Sequence, residues 1–166
     1  MSTEHPTRDE LLEALAEQGR LQSRATVLFH SAVADRLGLS PSDHKCLDLL
    51  LHEGPLSAGE LAERTGLTSG AITGVTDRLE RAGFVRRTHD QEDRRRVILC
   101  PVEDCAENEV SPLFQSLAES WERQCRRYRV EELKLILRFM RQTTEILNEE
   151  RTKIEQAETE IAASSL

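Results

Sequence analysis

Aromatic side chains are scarce in this chain: one Trp, one Tyr and four Phe among 166 residues. A core built from few large rings must rely on Leu, Ile, Val and Ala. No stretch approaches 18 consecutive apolar residues, so no membrane span is expected. The opening MSTEHPTRDE is too polar and acidic for a secretory signal. A cytoplasmic protein is expected, with its four cysteines, Cys46, Cys100, Cys105 and Cys125, reduced. Gly-rich phosphate loops are missing, as are the HExxH and G-x-S-x-G patterns, and no Ser/His/Asp or carboxylate spacing suggests catalysis. Neither an enzyme nor a cofactor is expected. Cys100 and Cys105, as CPVEDC, match neither a CxxC redox pair nor a common zinc spacing, so no metal site is expected. There is no internal repeat.

What is present is helix-forming and charged. Hydrophobic residues make up 38% and charged residues 31%, with a net charge of −8. That balance counts against a general nucleic-acid coat protein. The charge is not evenly spread. From Arg78 to Arg96 there are seven Arg against four acids, whereas residues 1–20 hold two Arg and five acids. The length suits one domain with a core, and lean exposed helices would bury more surface in a dimer.

Apolar residues recur at three- and four-residue spacings over residues 9–37, predicting a long helix that Gly38 ends. Ser40 is placed to cap the next helix, with Pro41 at its first position. Gly54-Pro55 stops it. Ser57 and Glu60 form a capping box for a short helix. Thr65-Gly66 makes a turn, and Thr68 or Ser69 caps a helix to about Ala82 with Ala71, Ile72, Val75 and Leu79 inside. Gly83 terminates it. Phe84-Val85 and Val97-Ile98-Leu99 are strand candidates around a polar, Arg-rich turn. Helices are expected from about Val102 to Arg127, with Pro112 awkward inside, and from Val130 to about Arg151. The last residues could extend that helix or fray.

Residues 57–99 therefore read helix, turn, helix, charged hairpin. In such a unit the second helix lies in the major groove, its first residues nearest the base edges. Here those are Thr68, Ser69 and Gly70, then Thr73 and Thr76. Hydroxyls can donate to or accept from base edges, and a Thr methyl can pack on thymine. Gly70 and Gly74 keep the outer face thin, which suits a groove; close packing on a neighbouring protein helix is the other reason for them. Arg78 and Arg81, about one turn apart, are placed to reach phosphates, with a guanine edge open to Arg78. Arg86 and Arg87 leave their strand on opposite faces, so at most one faces DNA. An Arg at the tip of HDQEDRRRV would suit a narrow, A·T-rich minor groove.

The segments LSPSDHKCLDLLLHEGPLSAGELAERTGLTSGAITGVTDRLERAGFVRR and DQEDRRRVIL resemble the MarR family of winged-helix transcriptional regulators. The wing signature is Asp90, Asp93, Arg94 and Arg95, and the resemblance spans about residues 10–150. It implies a homodimer joined by the N-terminal and the C-terminal helices. It places Arg95 in the minor groove with Asp93 as its brace. It also implies repression at a pseudo-palindromic site on double-stranded DNA, relieved by a small aromatic or phenolic effector. The implied effector pocket lies between the first, second and post-wing helices, where His30, His44 and Trp121 could line it; core or surface roles suit each equally. One departure stands out. The family often continues past the wing as Leu-Thr-x-x-Gly, and this chain has Leu99-Cys100-Pro101-Val102-Glu103.

The expected architecture is mainly α (α+β). A dimerisation helix spans 1–38, a winged helix-turn-helix DNA-binding region with Arg86 and Arg94 among its contacts spans 40–100, and dimerisation helices span 102–166. Two alternatives remain. One is a cysteine-oxidation-responsive regulator of the same fold, although the usual sensing Cys lies near the N-terminus and none precedes Cys46. The other is a winged helix that contacts a protein.

Overall fold

The computed structural model describes residues 6–90, 93 and 96–164, with side chains to residue 157. Helix α1 spans Arg8–Arg36. It starts at Thr7, whose hydroxyl accepts from the Glu10 amide while the Glu10 carboxylate accepts from the Thr7 amide. Helix α2, Pro41–Glu53, starts at Ser40 with the same reciprocal bonds to Asp43. A short strand β1, Leu56–Ser57, leads into α3, Ala58–Thr65. Helix α4 is Ser69–Arg81, capped by Thr68. Strands β2, Val85–His89, and β3, Val97–Pro101, form the hairpin.

The sheet has the order β1-β3-β2 and is antiparallel throughout. Leu56 faces Leu99, and Arg87 also faces Leu99 from the other side. β1 is two residues long and carries no signal of its own; it is a strand because β3 pairs with it. The core fills the space between α2, α3, α4 and the sheet. Cys46, Leu47, Leu50, Leu61, Ile72, Val75, Leu79 and Leu99 are each at most 2% exposed. The inner stripe of α4 differs from expectation: Ala71 is exposed, and Thr76 is buried in its place.

After β3 come α5, Glu103–Cys105, a π-helical turn, Ala106–Val110, and α6, Ser111–Cys125. The wide turn explains how Pro112 is tolerated. Proline has no amide for the four-residue ladder, and the Ser111 amide bonds instead to the Ala106 carbonyl five residues back. Helix α7 runs Val130–Ser164, so of the two outcomes open for the residues after about Arg151, extension or fraying, extension is found. No Gly or Pro interrupts it, and pairs such as Arg151–Glu155 and Lys153–Glu150 support the extension.

The chain divides into two compact units, residues 1–114 and 115–166. Large apolar side chains stand exposed on the long helices of both: Leu11, Leu15 and Leu28 on α1, and Leu135, Phe139, Leu147 and Ile154 on α7. Among the described residues no helix is long and apolar enough to cross a membrane.

Candidate nucleic-acid interface

Hydrogen bonds from Thr65, Gly66 and Lys45 shape the turn between α3 and α4, and the Leu67 amide adds one to the Thr65 hydroxyl. Thr65 donates its hydroxyl to the Leu61 carbonyl at 2.6 Å. Gly66 takes φ +71°, a left-handed conformation that suits glycine, and its amide donates to the Ala62 carbonyl. Lys45 on α2 reaches across to donate its Nζ to the Thr65 carbonyl at 2.8 Å.

The turn delivers the amino end of α4 to the surface. Thr68, Ser69, Gly70 and Thr73 are all exposed. The Thr68 hydroxyl accepts from the Ala71 amide, and the Thr73 hydroxyl donates to the Ser69 carbonyl. Each oxygen keeps outward lone-pair capacity. A Cβ placed on Gly70 would meet no heavy atom within 4 Å, so packing within the chain is not why glycine stands there. At Gly74 the nearest atom would be an Arg78 guanidinium nitrogen at 3.3 Å. Thr76 belongs to a different environment. It is 3% exposed, donates to the Thr73 carbonyl and accepts from Arg87 at 2.9 Å. The expectation that Thr76 contacts bases is corrected: the helix turns that side chain to the sheet.

The other end of α4 is held by ion pairs. Arg78 makes a bidentate contact with Asp43, its Nε and terminal nitrogen at 3.0 and 2.7 Å. The Asp43 side chain is only 4% exposed. Burial works against its charge, but hydrogen bonds from Arg78 and Ser40 outweigh burial and hold the carboxyl below the usual range. Arg78, expected to reach phosphate or guanine, has its Nε and one terminal nitrogen engaged with α2 across 35 residues of chain, while its side chain stays half exposed. Arg87 faces α4 and grips Asp77, Glu80 and Thr76. Arg86, its neighbour on the strand's other face, is exposed.

At the hairpin, Arg96 bridges to Glu60 at 2.7 Å and points a nitrogen at the Ser57 hydroxyl at 3.4 Å. The Ser57 hydroxyl and amide, then Arg96, push the Glu60 carboxyl down to about 2. One pair thus joins the root of the wing to the cap of α3. The wing loop is tied by the Asp90 amide donating to the Arg96 carbonyl and the Arg96 amide to the Asp93 carbonyl. The Asp93 amide donates to the Asp90 carboxylate. Arg94 and Arg95, the expected wing contacts, lie outside the described residues, and so does the brace expected between Asp93 and Arg95.

The three residues expected at an effector pocket are placed differently. His30 and His44 meet edge-on, ring centres 5.3 Å apart, and both line a cleft of about 370 Å³ between α1 and α2. Trp121 lies on α6 in the second unit, half exposed. All four cysteines are free. Burial pushes the Cys46 thiol up to about 11, and burial followed by Glu109 raises Cys105. Neither environment favours the reactive thiolate.

A capped helix, a left-handed glycine turn, a second helix with an uncovered amino end and a flanking β-hairpin define the winged helix-turn-helix class of DNA-binding proteins. The family model described as MarR family matches residues 39–97. The helix-turn-helix-type transcriptional regulator YcgE of Bacillus subtilis (strain 168) is 42% identical over 156 residues, 94% of this chain and all of that protein. The transcriptional repressor YetL of the same organism is 45% identical over 62 residues, 36% of this chain and 37% of its own length. Among solved structures, a MarR family protein from Bacillus stearothermophilus has a TM-score of 0.65 at 20% identity, covering 86% of this chain and 99% of that one. The crystal structure of MarR has a TM-score of 0.53 at 29% identity, covering 79% and 95%. This chain belongs to the MarR family of winged-helix transcriptional regulators. These are DNA-binding proteins rather than enzymes.

Proposed function

We propose that this regulator is a homodimeric repressor that binds a pseudo-palindromic operator and leaves it when a small aromatic or phenolic ligand enters the α1–α2 cleft. The observation that carries the DNA-reading half is the bare amino end of α4. Thr68, Ser69, Gly70 and Thr73 stand exposed there, with no ion pair across them among the described residues. In this reading those residues meet base edges. Arg86 contacts the backbone beside them, and Arg94 and Arg95 carry the wing into the adjacent minor groove with Asp93 as brace. Arg78 keeps its grip on Asp43 and positions the helix.

The exposed Leu and Phe side chains of α1 and α7 support a dimer, since a second copy would take them out of water. Two-fold symmetry then sets half-sites about one helical turn, roughly 34 Å, apart. Two of the three expected effector residues share the α1–α2 cleft. The test is selection of random duplexes by purified protein. A pseudo-palindrome is the expected result, with binding lost in Arg95→Ala. No enrichment, at low salt and over a range of effectors, would instead favour the protein-contacting reading.

A further inference from the structure

Three consecutive residues of α2 face three different parts of the molecule. Asp43 holds Arg78 of α4. His44 lines the cleft against α1. Lys45 also lines the cleft, yet its ammonium is spent on the Thr65 carbonyl at the end of α3. The cleft and the helix-turn-helix therefore share one side chain.

The cleft also contains an unmet demand. His44 is 5% exposed, and its buried Nε2 has no hydrogen-bond partner among the described residues. Buried polar atoms are seldom left so. His30 gives His44 a ring contact and not a hydrogen bond. Of the residues lining the cleft only Asp48 is acidic, and its carboxylate lies 3.6 Å from His52 Nδ1. A small molecule with an apolar body and an acidic group would bond His44 and present its charge to Lys45.

We propose that Lys45 is the coupling residue between cleft and turn: an anionic occupant draws its ammonium away from the Thr65 carbonyl and so loosens the turn that positions α4. The inference rests on the ligand-released regulator proposed above and names the bond through which release acts. The Thr65 carbonyl sits at the carboxyl end of α3, where the helix supplies no amide of its own. Losing Lys45 strips that carbonyl of its long-range partner. The ligand must then bind better when Lys45 is free of the turn, the differential affinity that any such switch requires. Lys45 is a positioning residue; nothing in this scheme has it touch DNA.

The test is amide hydrogen exchange at Gly66 and Leu67 in the full chain. Benzoate serves as the acidic probe and benzamide as its uncharged isostere. In the wild type, benzoate is expected to speed exchange about fivefold, the effect of losing one ordinary hydrogen bond, and benzamide to leave it unchanged. Lys45→Met should exchange at the faster rate from the start and ignore benzoate. Lys45→Arg keeps the charge and should respond like the wild type. Unchanged turn amides in the wild type at saturating benzoate would overturn the proposal, as would equal acceleration in Lys45→Met or failure of benzoate to bind. A duplex selection run beside it separates the two readings. A loosened turn with no enriched duplex sinks the regulator reading and leaves the coupling standing. An enriched duplex with a turn indifferent to benzoate sinks the coupling alone.

Discussion

The two ends of α4 are built on opposite plans. At the amino end, Thr68 to Thr73, the side chains are short, and the exposed hydroxyls of Thr68 and Thr73 bond within their own helix. At the carboxyl end, Arg78 is pinned to α2, and Asp77 and Glu80 are gripped by Arg87 of β2. Leu79 is fully buried between them. An uncovered end and a held end are thus separated along one 13-residue helix. The richest run of arginine in the chain is also less available than its count suggests, because Arg78, Arg87 and Arg96 each face acids.

The largest effect on stability should come from the holding end. Arg78→Met leaves the buried Asp43 carboxylate with Ser40 as its remaining partner. Stranding that carboxylate should cost about 2 kcal/mol in urea unfolding, less than for a fully buried pair because Arg78 itself is half exposed. Thr73→Ala at the reading end should stay within about 0.5 kcal/mol. Equal losses at the two sites would erase the contrast. The Arg78–Asp43 difference should also depend on pH. Asp43 is held below its ordinary value, so its contribution is complete above about pH 4 and is lost as pH falls through the folded value. The gap between wild type and Arg78→Met should therefore narrow in acid.

Gly70→Ala is expected to raise stability by about 0.5–1 kcal/mol, since the new methyl meets open space and the helix gains propensity. The same change should weaken operator binding if the thin face seats in a groove. Stabilisation with unchanged affinity would mean that the glycine serves nothing there. A smaller effect concerns salt. Arg86→Ala should reduce the slope of log affinity against log salt by about 1 if Arg86 neutralises one phosphate, and Glu60→Gln, which frees Arg96 and removes the charged acceptor of the Ser57 cap, should not reduce it. Glu60 should show itself in acid instead. Its folded value near 2 lies below the ordinary 4.5, so its contribution is full above about 4.5 and fades toward pH 2. The dependence of stability on pH over that window should flatten in Glu60→Gln.

Local chemistry is what can be read from the chain in advance. Ser40-Pro41, Ser57 with Glu60, Gly66 and Gly83 mark helix ends through bonds that close within a few residues, and each mark stands where the helices begin and end. What the sequence hides depends on distant partners. β1 exists through its pairing with β3, some 40 residues on. Asp43 reads as a residue near the free amides of a helix start, and it is one, but its second role toward Arg78 spans 35 residues. Thr76 reads as a base-contacting residue because Thr73 is one turn before it. Burial against the sheet and the hydrogen bond from Arg87 turn it inward while Ala71 faces out. Strand alternation is legible at Arg86 and Arg87, and it separates an outward arginine from one facing protein; which is which follows only once α4 is packed against β2. Pro112 hints at an irregular helix, but the π-helical form of the turn before it is not written in the residue.

The central claim is that α4 reads bases with its amino end and is merely held by the other. The most direct measurement compares the duplexes enriched from one random pool by wild type and by Thr73→Ala. The expected result is the same pseudo-palindrome with preference relaxed at one position in each half-site. Identical profiles, or a uniform loss across all sequences, would contradict it.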